Sequence, residues 1–303
     1  MNETAWDALI VGGGSAGLSA ALMLVRSRRR VLVLHTGEPR NGVAPHMHGV
    51  LGRDGASPLR LLADGRREVE AYGGSIRLAR AVDVERQGGG LLVTTASGER
   101  EWARRLVVAS GMRDGLPALP GLAEHWGTGV VTCPYCDGWE VRDRRLGVLA
   151  TSEFSLHQAQ LLRQLSADVT YFTGGDLEPA DADLAALTAR GIRVERRRLE
   201  RVVDEGGTLA GIETAEGEVV ALDAIFVGTT PLPASELLDR LGTGWTLDDP
   251  TGRTSHPGVW AAGNVVNPGA TVPGSMASGA LAGAGVNADL VAEDVAAAVG
   301  AGS

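Results

Sequence analysis

The sequence contains no lysine, only two cysteines, and few aromatic residues, which make up 4% of its 303 positions. Two cysteines are too few for a multi-disulfide scaffold or a four-cysteine zinc site. No run of 18 apolar residues is present, so no transmembrane helix is predicted. Arginine supplies the basic charge, and the net charge of −9 argues against nucleic acid and anionic membrane as partners.

The two cysteines, Cys133 and Cys136, stand three positions apart in the segment CPYC, which is the spacing of a redox-active dithiol. The N-terminus shows neither a charged leader nor a cleavage site, so we predict a cytoplasmic protein. In that compartment a CxxC pair is redox-active or metal-binding rather than a structural crosslink. A metal is the weaker interpretation, because no second CxxC or spaced Cys/His set accompanies the pair.

The start of the chain predicts a strand–helix–strand unit of the dinucleotide-binding type. Residues 8–11 predict a strand, 12–17 the glycine segment GGGSAG, about 16–26 a helix, and 31–34 the second strand. In this pattern Gly12 makes the tight turn, Gly14 lets the backbone approach a pyrophosphate, and Gly17 packs the helix against the sheet. A purely structural glycine turn is the alternative.

One element departs from this pattern, at the end of the second strand. The acidic residue that usually holds the ribose hydroxyls is replaced by His35. Glu38, three residues further on, can substitute from the loop. The sequence leaves open which of the two side chains faces the ribose.

A second strand–helix–strand unit lacks its phosphate-binding loop. Residues 146–150 predict a strand, 154–165 a helix, and 169–172 the next strand. Between the first strand and the helix stand Thr151, Ser152 and Glu153, whose side chains occupy the place where the backbone must meet a phosphate. Glu153 also puts a negative charge at the helix N-terminus, where an anion would bind. This turn is therefore predicted not to hold a nicotinamide nucleotide.

The ordered segments GGGSAG, VVASG, CPYCDGWE and GVWAAGNV resemble the thioredoxin reductase family over essentially the whole chain. The resemblance implies an α/β fold of two domains, in which a Rossmann-type FAD-binding domain carries an inserted, degenerate NADPH-like domain. The FAD domain is expected over residues 1–111 and 229–303, and the inserted CxxC domain over 112–228. The family also implies a homodimer.

The resemblance assigns roles to individual residues. Cys136 would lie over the flavin as the charge-transfer thiol, Cys133 would exchange with substrate, and Asp137 would donate and accept a proton. The small residues and amide of GVWAAGN suit contact with a flavin, although tight packing alone is the alternative. The residues expected to bind FAD are Gly12, Gly14, Ser15, Ala16, Gly17, His35, Glu38, Arg40, Asn41, Val82, Ala109, Gly111, Gly263, Asn264 and Val272.

The departures from the reductases indicate a narrower group. The glycine loop for NADPH is gone, the family's Arg-Gln pair aligns with Thr271 and Val272, and its Asp is Asn264. The chain is similar to the thioredoxin reductase-like oxidases that close disulfides in natural products such as gliotoxin, holomycin and romidepsin. That similarity implies oxidation of a small-molecule dithiol by the CxxC disulfide and FAD, with O2 as final acceptor and H2O2 as product. The alternatives are a reductase fed by NADPH or by a protein such as ferredoxin, and a non-catalytic redox-sensing flavoprotein.

A substrate thiol must lose a proton before it attacks a disulfide, so a base is expected near the cysteines. Asp137 is one candidate, with a structural cap as its alternative role. His48 is the other, because imidazole titrates near neutral pH, with an ordinary loop histidine as the alternative. Three aromatic residues are candidates for lining a substrate pocket, although core packing is the default for each: Trp126, Tyr135 and Trp139.

Overall fold

The computed structural model of the protein describes residues 6–175 and 177–301. The strands are β1 (Trp6–Val11), β2 (Val31–His35), β3 (Ser75–Leu78), β4 (Ala81–Gln87), β5 (Gly90–Thr95), β6 (Arg100–Val108), β7 (Met112–Gly115), β8 (Val130–Val131), β9 (Leu146–Leu149), β10 (Val169–Phe172), β11 (Arg193–Glu195), β12 (Leu199–Glu205), β13 (Thr208–Thr214), β14 (Val219–Ala221), β15 (Ala224–Val227), β16 (Thr230–Pro233) and β17 (Val259–Ala261). The α-helices are α1 (Ser15–Arg26), α2 (Pro58–Ala71), α3 (Pro134–Asp137), α4 (Phe154–Leu162), α5 (Asp181–Ala189), α6 (Leu237–Arg240) and α7 (Val272–Ala301). Short 3-10 turns cover Arg40–Val43, Ala123–His125 and Gly263–Val265.

The chain divides into two compact units. The first runs up to Gly42, resumes over Pro58–Arg113 and continues from Leu232, and the second comprises Val43–Ser57 and Asp114–Pro231. Residues 43–57, assigned from the sequence to the first domain, therefore group with the central residues. The reason is a set of contacts made by their side chains, such as the packing of Val43 on Gly127.

The first unit is built on a seven-stranded sheet in the order β3-β2-β1-β6-β5-β4, with β17 also paired to β6. Strands β3, β2, β1 and β6 run parallel, and the apolar runs of β1 and β2 are buried, as both faces of such a sheet are covered. Helix α7 packs closely on α1. A Cβ on Gly279 would lie 2.0 Å from the carbonyl oxygen of Ala16, so the small residue is required there.

The second unit contains a five-stranded parallel sheet in the order β11-β10-β9-β15-β8 and a three-stranded antiparallel sheet, β12-β13-β14. Helices α4 and α5 contribute Ala159, Leu162 and Leu187 to its buried core. The connecting strands β7 and β16 pair with each other. No helix among the residues that the structure describes is both long and apolar enough to cross a bilayer.

The predicted bounds of three elements differ from the structure. The helix expected over 154–165 ends at Leu162, because the next residues close it with turn hydrogen bonds, such as Leu165 N–H to the Leu162 carbonyl at 2.8 Å. The C-terminal helix, which the sequence predicts over about residues 275–298, extends beyond both ends and spans Val272–Ala301. The strand that the sequence predicts over residues 106–111 is part of β6, which begins earlier, at Arg100, because its first half pairs with β5.

Candidate functional site

The first strand–helix turn has glycines at two positions where a side chain would collide with backbone. A Cβ on Gly12 would lie 2.1 Å from the Ala109 oxygen, and one on Gly17 would lie 1.8 Å from the Gly12 oxygen. Gly12 also adopts φ +117°, a region that favours glycine. Gly14 differs, because a Cβ there would meet nothing within 4 Å. The turn is therefore packed tightly on one side and open on the other.

The open side of the turn faces the N-terminus of α1. This helix has no side-chain cap at Gly14 and no acidic residue in its first turn. Its first N–H groups and the positive end of its dipole are what a pyrophosphate needs. Ser15, Ala16 and Gly17 begin the helix at this point. The residues of this turn therefore fit the pyrophosphate of FAD.

At the end of β2, His35 rather than Glu38 lies against the turn. A Cβ on Gly13 would be 2.7 Å from the His35 Cβ, so the two residues are in contact. Burial, and then the charge of Arg66, lowers the pKa of His35. The Glu38 carboxylate is exposed and lies 3.4 Å from the Arg80 guanidinium. The acid that the sequence offers as a substitute is thus held by a surface arginine.

The C-terminal segment of the same unit contributes Gly263, whose N–H donates to the Ser278 hydroxyl at 3.1 Å. The Asn264 amide nitrogen donates to three loop carbonyls, those of Asn267, Pro268 and Ala270, at 3.1 Å each. Its amide hydrogens are therefore used within the loop, and only its Oδ1 is left to face a ligand. A cavity of about 430 Å³ lies beside this loop, lined in part by Gly263.

The remaining expected FAD residues are spread around this unit. Arg40 donates to the Pro268 carbonyl at 2.6 Å, and Asn41 is half-buried in the adjacent 3-10 turn. Ala109 is buried against Gly12, and Gly111 has φ +73°. Val272 is the first residue of α7. Val82 is exposed on β4, and Ala79, three residues before it, donates its N–H to the His35 carbonyl at 2.9 Å.

The corresponding turn of the second unit is closed by its own side chains. The Ser155 hydroxyl accepts hydrogen bonds from the N–H groups of Thr151 at 3.1 Å and Ser152 at 3.4 Å. Glu153 stands at the N-cap of α4. A Cβ on Gly228 would lie 2.6 Å from the Thr151 hydroxyl, so this side chain fills the space between the strands. Two of the N–H donors that a phosphate would need are therefore already used.

The two cysteines form a disulfide at the N-terminal end of α3. Their Cα atoms are 5.2 Å apart, both side chains are half-buried, and the Cys136 N–H donates to the Cys133 carbonyl at 3.1 Å. The buried Gln158 of α4 donates to the Thr132 carbonyl at 2.6 Å, which anchors the chain just before Cys133. The pair is thus held by local backbone structure and still partly open to solvent.

The structure brings both predicted bases into the second unit. Burial first, and then the charge of Glu140, raises the pKa of Asp137 to about 6, and His48 opposes this shift. His48 lies 3.4 Å from Asp54 through Nδ1 and 3.4 Å from Glu140 through Nε2. Neither of these two carboxylates was predicted from the sequence to belong to the site. Glu140 follows Asp137 by three residues, a spacing that could have pointed to it.

The three aromatic candidates differ in their surroundings. Trp126 packs against the core of the second unit, as the default interpretation has it. Tyr135 and Trp139 are exposed, with 77% and 63% of their surface accessible, so they are not core residues. The Arg142 guanidinium stacks on the Trp139 ring at 4.2 Å from the ring centroid. Two aromatic side chains next to the disulfide are therefore open to a ligand.

Comparison with known proteins agrees with this architecture. A model of the pyridine nucleotide-disulphide oxidoreductase family matches residues 6–283. The chain is 31% identical to thioredoxin reductase tcpT of Claviceps purpurea (strain 20.1), with 95% of each protein covered. A probable thioredoxin reductase of Arthroderma benhamiae is 36% identical over 57% of this chain and 45% of that protein. The solved structure of HlmI has a TM-score of 0.94 at 44% identity, covering 99% of this chain and 97% of that one.

The expected two-domain Rossmann-type fold and the resemblance to thioredoxin reductases are thereby confirmed. The chain belongs to the pyridine nucleotide-disulphide oxidoreductase family, as a thioredoxin reductase-like member of a group of FAD-binding oxidoreductases.

Proposed function

We propose that this protein is an FAD-dependent oxidase that converts a small-molecule dithiol to a disulfide, with O2 as the final acceptor. The observation that carries the proposal is the contrast between the two strand–helix turns. The first has free helix N–H donors and an open glycine, whereas Ser155 and Glu153 close the second. A protein with an intact disulfide and flavin turn but no nicotinamide turn is suited to take electrons from its dithiol substrate.

The glycine turn of residues 12–17 would hold FAD, which would supply a two-electron acceptor for the reduced Cys133–Cys136 pair, with O2 as the final oxidant and H2O2 as its product. The protein residues perform the thiol exchange that precedes this. One substrate thiolate attacks the Cys133 sulfur, a mixed disulfide forms, and Cys136 leaves as a thiolate. The second substrate thiolate then attacks the substrate sulfur of the mixed disulfide and releases Cys133. Two protons leave the substrate, and its two electrons remain on the Cys133–Cys136 pair.

A compact dithiol is the expected substrate class. Both thiols then belong to one molecule, so the second attack is intramolecular and the disulfide closes a ring. The exposed rings of Tyr135 and Trp139 next to the disulfide offer an apolar surface to such a molecule. The relative tcpT and the structural neighbour HlmI share the overall chain architecture, which supports a common type of reaction. A cytoplasmic homodimer remains the expected form.

The test is turnover of the purified holoprotein with 1,4-dithiothreitol in air, with oxygen uptake, H2O2 and free thiol measured together. We expect one H2O2 for each disulfide closed. Anaerobic NADPH and NADH should leave the visible flavin absorbance unchanged. Thiol loss without oxygen uptake would indicate a protein acceptor, and rapid bleaching by micromolar NADPH would restore the reductase assignment.

The roles of the two cysteines need a separate test. In the Cys136→Ser variant, Cys133 should form a stable mixed disulfide with a probe such as 5,5′-dithiobis(2-nitrobenzoate), because no second thiol can displace it. The Cys133→Ser variant should form much less adduct. Intact-protein mass reads out the adduct without ambiguity, since these are the only cysteines of the chain. The reverse pattern would exchange the assigned roles.

A further inference from the structure

His48 is held between two carboxylates in the unit that carries the disulfide. Its Nδ1 lies 3.4 Å from Asp54 and its Nε2 lies 3.4 Å from Glu140. The imidazole is mostly buried, with 23% of the side chain exposed, whereas the Asp54 and Glu140 carboxylates are exposed. The two carboxylates come from different segments, one from the same loop as His48 and one from the segment just after α3.

The loop that carries His48 is well ordered by its own hydrogen bonds. The Met47 N–H donates to the Ala56 carbonyl at 2.9 Å, and the Gly55 N–H donates to the Met47 carbonyl at 2.9 Å. The Gly49 N–H donates to Asp54 Oδ1 at 2.8 Å, which fixes the carboxylate that faces His48. The imidazole position is therefore set by backbone structure and does not depend on a flexible side chain alone.

Asp137, the residue directly after Cys136, is under the electrostatic influence of the same side chains. The charges that bear on Asp137 are those of Glu140, which raises its pKa, and His48, which lowers it. The groups that face His48 are Asp54 and Glu140. Among the residues that the structure describes, no set of three His, Cys, Asp or Glu side chains is arranged to hold a metal ion. Proton transfer, rather than metal binding, is the chemistry that this arrangement suits.

We propose that Glu140 is a positioning residue which, together with Asp54, holds the His48 imidazole beside Asp137 so that these side chains accept the proton of the substrate thiol. The inference rests on the proposed dithiol oxidation and deepens it. A neutral imidazole has one donor and one acceptor nitrogen, and the protonated ring has two donors. A proton taken up by His48 therefore finds a carboxylate already placed at each ring nitrogen.

The step is balanced without any further reactant. The S–H bond of the substrate breaks and its proton passes to the His48–Asp137 group. The S–S bond of the protein breaks, a bond forms between the substrate sulfur and the Cys133 sulfur, and Cys136 keeps the electron pair. The protein disulfide is the oxidant. Glu140 touches neither sulfur in this scheme and acts only by orienting His48 and by making the Asp137 carboxylate a stronger proton acceptor.

The test follows the first exchange directly. Holoprotein in excess is mixed anaerobically with limiting 1,4-dithiothreitol at a series of pH values between about 5 and 9.5. The reaction is quenched in acid at set times, and the remaining dithiothreitol thiols are then counted. For Glu140→Gln we expect the rate of thiol–disulfide exchange to fall by about 10-fold near pH 7. This is a small part of the roughly 10²–10⁴-fold acceleration that a general base supplies. The midpoint of the pH profile should move to lower pH, because the charge that raises the pKa of Asp137 is gone. Asp54→Asn should show the same pattern with a smaller amplitude.

Two comparisons separate a proton role from structural damage. Above about pH 9 the substrate thiol ionises by itself, so Glu140→Gln should approach the wild-type rate there. Glu216→Gln, which removes a carboxylate from an exposed turn of the same unit, should leave the profile unchanged. A deficit of Glu140→Gln that is equal at every pH, or a profile identical to wild type, would overturn the inference. A wild-type disulfide that no dithiol reduces would overturn the proposed function and the inference with it.

Discussion

The two strand–helix turns of this chain share their topology and differ in how they use the helix N-terminus. In each, a buried strand leads into a helix, and the strand that follows the helix pairs in parallel with the first strand. The α1 turn leaves its N–H donors without a side-chain cap, while in the α4 turn the Ser155 hydroxyl accepts from Thr151 and Ser152. The first turn is open at Gly14, and the second carries the charge of Glu153.

The difference shows that a dinucleotide-binding fold can keep its architecture while its own side chains cap the N-terminus of one helix. Strand pairing and core packing depend on buried apolar residues that both units retain. Anion binding depends on a few donors and on the charge next to them. A hydroxyl that satisfies those donors from within the protein removes the site without unfolding the unit. The two turns can therefore be altered separately.

The largest effect is expected from Gly14→Glu. Nothing lies within 4 Å of the new Cβ, and Gly14 has φ −80°, so the fold should be retained. The added carboxylate would face the pyrophosphate, and FAD affinity should fall by roughly 100-fold or more, which corresponds to about 2.7 kcal/mol. Bound FAD per protein after reconstitution, with circular dichroism as the fold check, measures this.

The matched control is Gly300→Glu, which adds the same charge near the end of α7, where a Cβ also meets nothing within 4 Å. It should bind FAD as the wild type does. A Gly14→Glu protein with full FAD content would show that the first turn is not the pyrophosphate site. Gly17→Ala would not distinguish a lost pyrophosphate contact from a distorted turn, because its Cβ would collide with the Gly12 oxygen.

Local sequence signals were sufficient to predict the first strand–helix–strand unit, the disulfide pair and the altered second turn. Each is encoded by residues close together in the chain, such as the glycines at 12, 14 and 17 or the spacing of Cys133 and Cys136. The fold class followed from the order of these motifs. What one segment contributes by itself, through backbone geometry or charge, can be inferred without knowing its partners.

The contacts between distant segments could not be predicted in the same way. The grouping of residues 43–57 with the central unit places His48 next to Glu140. No periodic pattern in this loop predicts that contact. The sequence predicts a flavin contact for Asn264, but it does not reveal that the side-chain nitrogen donates to three carbonyls of the following loop. Such pairings depend on loop geometry that composition does not reveal.

The next effect comes from reopening the second turn with Thr151→Gly, Glu153→Gly and Ser155→Ala together. These changes free the N–H donors and remove the repelling charge. Each recovered charge-assisted hydrogen bond contributes about 1.5–3 kcal/mol, so we expect at least about 10-fold tighter binding of NADPH by calorimetry. Ser152→Ala is the control, because its hydroxyl is not part of the cap. Micromolar NADPH binding by the wild type would contradict the inference that side chains close the second turn to a phosphate.

A smaller effect is expected from Ser155→Ala alone. Ser155 is buried, and its hydroxyl accepts from two backbone N–H groups, so its removal leaves donors without their partner. We expect unfolding free energy to fall by about 1 kcal/mol in chemical denaturation. The exposed Ser152→Ala should change it much less. Equal stability of the two variants would mean that the hydroxyl does not close this turn.

The smallest effect concerns the end of the second strand in each unit. In the second unit the buried Thr173 donates to Glu178 at 3.1 Å, whereas in the first unit His35 lies against the glycine turn. Burial and Arg66 lower the pKa of His35, so the folded protein binds fewer protons than the unfolded chain near the ordinary histidine pKa of about 6.5. The contribution of neutral His35 to the free energy of unfolding is therefore fully present above pH ~6.5 and declines as the pH falls below that value. Denaturation of wild type and His35→Gln at pH 8 and pH 5 should show the wild type losing more stability on acidification. An identical pH dependence of the two proteins would place His35 in water rather than against the turn.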